Sequence, residues 1–328
     1  MTRKIPTIGS FLLFLFALTV SAVGQQRVPV PPSWERTSFG LPPLIDLGAD
    51  SYKGEQGGLY PNGKNTIPVE HRKTGLGLAS KIIPLDKQGR PDNADGKIVL
   101  LSVGFSNTTM EYRMFKKIAD ADPEKSPDVV VVDGAQGGRS AIMIADPNHQ
   151  YWQVTKQRIE AAGVSELQVR AAWLKQVVPG ANSPFPKDAK DLQRDLKTIV
   201  RDLHMRYPNL WVVYLSNRIY GGYANRGSPE PQSFESGFAV KWLIEEQLTG
   251  DPAINCDPKK GKVQAPWMAW GPYLWADGTT PRSDGMIWGP DEYNPDGLHP
   301  NAKGQRKVAE MLLHFFKTEE TAKSWFVR

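Results

Sequence analysis

The chain has 328 residues, 40% hydrophobic and 23% charged, with a formal net charge of +5 from 40 basic and 35 acidic side chains. That is enough chain for one large domain or two smaller ones, and its Lys and Arg are scattered among acids, which excludes the clustered basic face of a nucleic-acid-binding protein. The single cysteine, Cys256, excludes an intramolecular disulfide, so stability must come from the core.

The chain opens with Arg3 and Lys4, an apolar run from Phe11 to Val20, and the small residues Ala22-Val23-Gly24. This three-part layout predicts a secretory signal peptide over residues 1–24 and a secreted or periplasmic product. The apolar run, on the order of ten residues, is well short of the roughly 20 needed to span a bilayer, and no later segment is apolar enough; no membrane attachment is expected after the leader is removed. From Gln25 to Gly96 the sequence is rich in Pro, Gly and Asn without a sustained period of 3.6 or 2, which predicts an irregular N-terminal extension. Leu41, Leu44, Ile45, Leu59 and Tyr60 give it apolar anchors for packing on a main domain expected over residues 97–328.

Beyond Gly96, short β-branched runs alternate with helical patterns, which predicts an α/β fold with a parallel sheet covered by helices on both faces. Strands are predicted over Ile98–Val103, Val129–Val132, Leu167–Leu174 and Leu210–Leu215, with Val263–Met268 as a fifth weakened by Pro266. Helical stripes run through Met110, Met114 and Ile118, through Leu192, Leu196, Ile199, Val200 and Leu203, and, from about Asn301, through Val308, Met311, Leu312 and Phe315. In open parallel sheets ligands bind beyond the carboxyl ends of the strands, so chemistry is to be sought directly after each run.

After the first run stands Gly104-Phe105-Ser106-Asn107-Thr108-Thr109. A serine at a strand-to-helix turn brings together a hydroxyl, a backbone N–H and the positive end of a helix dipole, although serine is also a common helix cap. After the second run, Gly137-Gly138 either lets the backbone approach a substrate and aim an N–H at a developing oxyanion or makes an ordinary tight turn. The most specific pattern is Asp296-Gly297-Leu298-His299-Pro300-Asn301. A carboxylate three residues before a histidine can meet the ring across one turn, holding its tautomer and stabilising the imidazolium formed when it takes a serine proton. Gly297 permits that turn, and Pro300 suits the start of the next helix. His71, His149, His204 and His314 lack such a partner, and no histidine pair stands at ligand spacing on one helix, so no metal or other cofactor is expected. Cys256 lies in Asn255-Cys256-Asp257-Pro258, where acidic surroundings disfavour a thiolate nucleophile.

These blocks resemble those of the SGNH (GDSL-like) hydrolase superfamily over roughly residues 97 to 316. Gly104-Phe105-Ser106 is similar to the family's Gly-Asp-Ser first block, Gly138 matches its second-block glycine, and Asp296-Gly297-Leu298-His299-Pro300 matches its fifth block. The resemblance implies a three-layer α/β/α fold with a flavodoxin-like parallel sheet of about five strands. It also implies Ser106 as nucleophile, His299 as general base and then acid, Asp296 as its orienter, and the N–H groups of Ser106 and Gly138 in an oxyanion hole. Phe105 replaces the usual aspartate. The third block departs further: where the family carries Gly-x-Asn-Asp, this chain reads Trp173-Leu174-Lys175-Gln176. The side-chain oxyanion donor is then expected from Gln176 or, after the fourth strand, from Asn217.

Arg218, Tyr220 and Glu235 also follow the fourth strand, either as cleft residues or as a salt-linked surface patch. Six aromatics precede the fifth block: Trp267, Trp270, Tyr273, Trp275, Trp288 and Tyr293. They either stack on sugar rings, with Trp275 and Trp288 as substrate contacts, or bury a long loop. The expected activity is that of a secreted serine esterase removing acyl, acetyl-like groups from a carbohydrate through an acyl-enzyme on Ser106. Its substrate is a small-molecule or polysaccharide ester. A sugar O-acyltransferase and a non-catalytic carbohydrate-binding protein on the same fold are the alternatives.

Overall fold

Five apolar runs form a wholly parallel sheet: β1 (Ile98–Gly104), β2 (Val129–Asp133), β3 (Val169–Lys175), β4 (Val212–Ser216) and β5 (Trp267–Trp270). Their order is β2-β1-β3-β4-β5, the flavodoxin-like arrangement with its switch point between β1 and β3. The computed structural model describes residues 1–2 and 33–328 apart from Ala181 and Ser228, so nearly all of the predicted signal peptide lies outside the described residues. Residues 33–328 belong to one compact unit.

Every residue of β1, β3, β4 and β5 is buried, as expected of strands covered on both faces. β3 and β4 each begin two residues later than predicted. β5 follows Pro266 directly and pairs only with β4, so the proline sits at a sheet edge, where its missing N–H breaks no ladder.

One group of helices comprises α1 (Val69–Ala79), α2 (Ser106–Asp120), α6 (Ala302–Thr318) and α7 (Glu320–Phe326), which pack on one another. The other comprises the short helix Ala141–Ile144, α3 (Gln150–Ala161), α4 (Lys187–Arg206) and α5 (Gln232–Leu248). The two groups cover opposite faces, giving three α/β/α layers. The predicted stripe of α4 is wholly buried. On α2 the core face is displaced from the predicted one: Tyr112, Phe115 and Ala119 are buried, while Met110, Met114 and Ile118 are only partly covered. Tyr112 decides this rotation, stacking on Trp173 at 5.7 Å and donating its hydroxyl to the Leu100 carbonyl at 2.8 Å. α6 begins at Ala302 with Asn301 as its cap, leaving Pro300 outside, and it buries Phe316 more deeply than Phe315.

The lead-in contains a helix, α1, that hydropathy does not reveal, because its buried side is His71, Gly75, Leu78 and Ala79. Gly75 lies flat on Trp267; a Cβ there would sit 2.4 Å from Trp267 Cζ2. His71 stacks on the same indole at 5.0 Å and meets the Met268 carbonyl at 2.7 Å, and Trp267 donates back to the His71 carbonyl. Further along, Lys241 on α5 donates to the carbonyls of Gln56 and Gly57, and Asp277 accepts from the N–H groups of Phe39 and Gly40. No described helix is long and apolar enough to cross a membrane.

Candidate active site

β1 ends at Gly104, where the chain passes so close to β3 that a Cβ would lie 2.4 Å from the Lys175 carbonyl oxygen; only glycine fits. Two residues later α2 starts at Ser106. The N–H groups of a first helical turn have no carbonyl behind them, so those of Ser106 and Asn107 face outward at the helix's positive end. Thr108 fixes this entry by donating its hydroxyl to the Lys175 carbonyl at 3.0 Å.

The loop after β2 is tied to the same corner. The Gln136 N–H donates to the Gly104 carbonyl at 3.0 Å, and its side-chain amide donates to the Tyr151 carbonyl at 2.8 Å. Asp133 accepts from Ser102, Thr109 and Arg113. These bonds set Gly137 beside the serine: a Cβ on it would be 3.9 Å from Ser106 Cβ.

The third contribution comes from the turn before α6. Gly297 takes φ +63°, a left-handed conformation that a side chain disfavours, and this folds Asp296 back over the turn. Asp296 Oδ1 accepts from the Leu298 and His299 N–H groups at 2.9 and 3.0 Å, and its Oδ2 lies 2.6 Å from His299 Nδ1. Burial raises the Asp296 pKa, but the bonds from the His299 ring and the two N–H groups outweigh it, and the carboxyl sits below its ordinary value. With Nδ1 donating to Asp296, His299 Nε2 is left as an acceptor for the Ser106 hydroxyl, 2.9 Å away. The turn is held down from below: the Leu298 carbonyl accepts from Asn107 Nδ2 at 3.3 Å and from Arg218 Nη2 at 3.1 Å.

A cavity of about 270 Å³ opens over this arrangement, lined by Phe105, Ser106, Asn107, Gly138, Arg139, Ser140, Val177, Pro179, Arg218, Gly227 and Leu298. Of the residues singled out from sequence, Ser106, Gly138 and Arg218 line it, and His299 and Asp296 are bonded to Ser106 in series. The others stand elsewhere. Gln176 is buried outside the lining, with Nε2 donating to the Arg139 carbonyl at 3.1 Å and Oε1 accepting from the Val177 N–H. It therefore supports the backbone of the glycine loop instead of presenting an amide to the cavity. Asn217 is also buried outside the lining; its Oδ1 accepts from the Leu274 N–H at 2.8 Å, and its Nδ2 has no hydrogen-bond partner among the described residues.

Of the two readings of the aromatics, a stacking platform or the burial of a long loop, the rings follow the second. Trp267, Trp270, Tyr273, Trp275, Trp288 and Tyr293 are all buried. Trp275 donates to Glu230 at 2.7 Å, Trp288 to the Leu274 carbonyl at 2.8 Å, and Tyr220 to the Arg36 carbonyl at 2.6 Å. Tyr220, Trp275 and Trp288 are thus core residues that bury the long loop before Asp296, with each polar edge matched internally. Glu235 pairs with Tyr52 and Lys53 away from the cavity. Cys256 is buried, which pushes its thiol up to about 11. It borders a larger groove of about 1010 Å³ between residues 61–74 and 247–264 that shares no lining residue with the serine cavity. Sequence reasoning did not single out Asn107 and Arg139, although both directly follow residues that it did, Ser106 and Gly138.

The chain matches no protein-family model and no curated protein. Among solved structures it is similar in part to a Bacillus subtilis protein, with 14% identity over 69% of this chain and 58% of that one and a TM-score of 0.37. The salicylyl-acyltransferase SsfX3 from a tetracycline biosynthetic pathway aligns at 15% identity over 73% of this chain and 58% of that one, TM-score 0.37. The periplasmic domain of a Salmonella ser. Paratyphi A lipopolysaccharide acetyltransferase aligns at 13% identity over 76% of this chain and 97% of that domain, TM-score 0.39. This chain therefore spans less than two thirds of the length of the first two.

Proposed function

We propose that the chain is an exported serine esterase of the SGNH type, acting on an acylated carbohydrate through an acyl-enzyme on Ser106. The observation that carries this reading is the continuous relay from Asp296 through His299 to the Ser106 hydroxyl, with bonds of 2.6 and 2.9 Å, at the mouth of a cavity.

In the first half-reaction His299 Nε2 takes the hydroxyl proton as Ser106 Oγ attacks the ester carbonyl. Asp296 keeps the ring in the productive tautomer and stabilises the imidazolium. The negative charge on the former carbonyl oxygen is received by the N–H groups of Ser106 and Gly138, which need no reorganisation because the helix start and the tethered loop already hold them. His299 returns the proton to the departing alkoxide. Water activated by the same imidazole then releases the acyl group.

Hydrolysis of 4-nitrophenyl acetate by the purified protein tests the proposal. Ser106→Ala should lower kcat by a factor on the order of 10⁴ to 10⁶, and a serine-reactive phosphonate should label the wild type at Ser106 alone. Undiminished turnover by the variant would remove Ser106 from the mechanism. A mature N-terminus at Gln25, read by N-terminal sequencing, is the expected mark of export.

A further inference from the structure

We infer that the substrate is an anionic ester, with a carboxylate close to the scissile bond that is received by Arg139 and Arg218. This rests on the serine-esterase reading and adds the charge of what Ser106 acts upon.

The residues lining the cavity over Ser106 include two arginines, Arg139 and Arg218, and no acid. Arg218 is almost wholly buried, at 1% exposure. Its Nε donates to Ser233 Oγ at 3.1 Å and its Nη2 to the Leu298 carbonyl, and its guanidinium lies over the Phe105 ring at 5.7 Å, so Nη1 is left with no hydrogen-bond or ion partner among the described residues. The neighbouring acids are engaged elsewhere. Glu230 accepts from the Gly221 and Phe234 N–H groups and from Trp275, Glu111 from Lys175, and Asp296 from His299. A dry guanidinium without an ion partner is unfavourable unless something else brings the countercharge. As a mere strut for the Leu298 carbonyl, a neutral amide would serve without burying a charge. Arg139, a half-buried lining residue, has no such duty: its backbone carbonyl is held by Gln176, and its guanidinium pairs with no carboxylate among the described residues.

Two arginines lining one small space suit a carboxylate, which Arg139 can bind through paired N–H groups and Arg218 through its remaining Nη1. Ser106 and both arginines line the same cavity of about 270 Å³, which favours a carboxylate near the ester. Charge recognition also stands in for aromatic stacking, one of the two readings the sequence left open, since those rings are in the core. Among acylated carbohydrates this selects acidic sugars over neutral ones.

Two ester pairs, each differing only by carboxylate or carboxamide, test the inference: 4-acetoxybenzoate with 4-acetoxybenzamide, and monoethyl succinate with ethyl succinamate. In at least one pair the wild type should show a kcat/KM for the carboxylate about tenfold or more above that for the amide. The ratio cancels general damage to catalysis, and it should fall towards one in Arg139→Gln and Arg218→Gln, with Arg139→Lys intermediate. Should Arg218→Gln not fold, the two Arg139 variants decide. Calorimetric binding of the same four esters to Ser106→Ala gives a second reading that needs no turnover, and the same preference should appear there. Amides preferred or equal in both pairs, or a carboxylate preference untouched by the arginine substitutions, would overturn the inference. If the wild type cleaves none of the four and Ser106 is not labelled, the esterase reading has failed instead, and the binding preference still decides the charge of the ligand.

Discussion

Asp296 does two jobs with separate oxygens: Oδ1 closes the turn by accepting two backbone N–H groups, and Oδ2 orients the imidazole. Asp296→Asn should keep much of the turn yet present an amide to His299 Nδ1, favouring the wrong tautomer. Its kcat on 4-nitrophenyl acetate should fall on the order of 10³- to 10⁴-fold, with near-UV circular dichroism unchanged. Because the native carboxyl is held below its ordinary pKa, it contributes stability above the unfolded value that is lost as pH falls through the lower native one. Solvent at the half-exposed carboxylate keeps that contribution small. At this scale the Asp-x-x-His spacing was legible because one turn of chain determines its geometry. The fate of Gln176 and Asn217 was not, since which way a buried amide points depends on carbonyls and N–H groups that only folding brings near, those of Arg139 and Leu274.

The nucleophile's helix is clamped to the sheet by a pair that lies wholly in the interior. Lys175, the last residue of β3, meets both oxygens of Glu111 on α2 at 2.5 and 2.6 Å, with neither side chain exposed. Burial pushes the lysine pKa down and the glutamate pKa up, and each partner opposes the other's shift. Removing one member strands a charge in a dry site, so Glu111→Ala should cost about 3–5 kcal/mol in urea unfolding. The double replacement Glu111→Leu with Lys175→Met should recover most of that loss, because an apolar pair leaves no charge behind. Equal stability of the single and double variants would show that the pair's charges are not what matters there. Strand and helix order were readable from periodicity, yet this clamp was not: a lysine closing an apolar run looks like a solvated end until a carboxylate 64 positions away turns inward to meet it. The same limitation explains α2, whose apparent methionine stripe lost to the better packing of Tyr112 against Trp173.

Across the whole molecule, the lead-in and the aromatic loop enclose two titratable groups whose effects oppose each other. α1 carries His71 onto the edge strand, where burial lowers its pKa from 6.5 to about 4 against the pull of the Met268 carbonyl. The lead-in looked irregular because α1 packs through glycine and histidine instead of an apolar stripe, so its contacts were invisible to periodicity. Beneath the aromatic loop, burial raises Glu230 from 4.5 to about 7, despite bonds from Gly221, Trp275 and Phe234 that favour its anion. For His71 the unfolded chain binds more protons between about pH 4 and 6.5, so its contribution to stability rises with pH across that window. For Glu230 the native state binds more protons between pH 4.5 and about 7, so its contribution falls as pH rises. In their overlap the two slopes largely cancel. Glu230→Gln should therefore unmask an increase in urea midpoint from pH 4.5 to 6.5, and His71→Gln a decrease, relative to the wild type. All other titrating groups are common to the three proteins, so the differences between their profiles isolate these two. Parallel profiles would mean that neither group keeps its buried, neutral form in the native protein, and that solvent reaches the lead-in and the aromatic loop more freely than their packing implies.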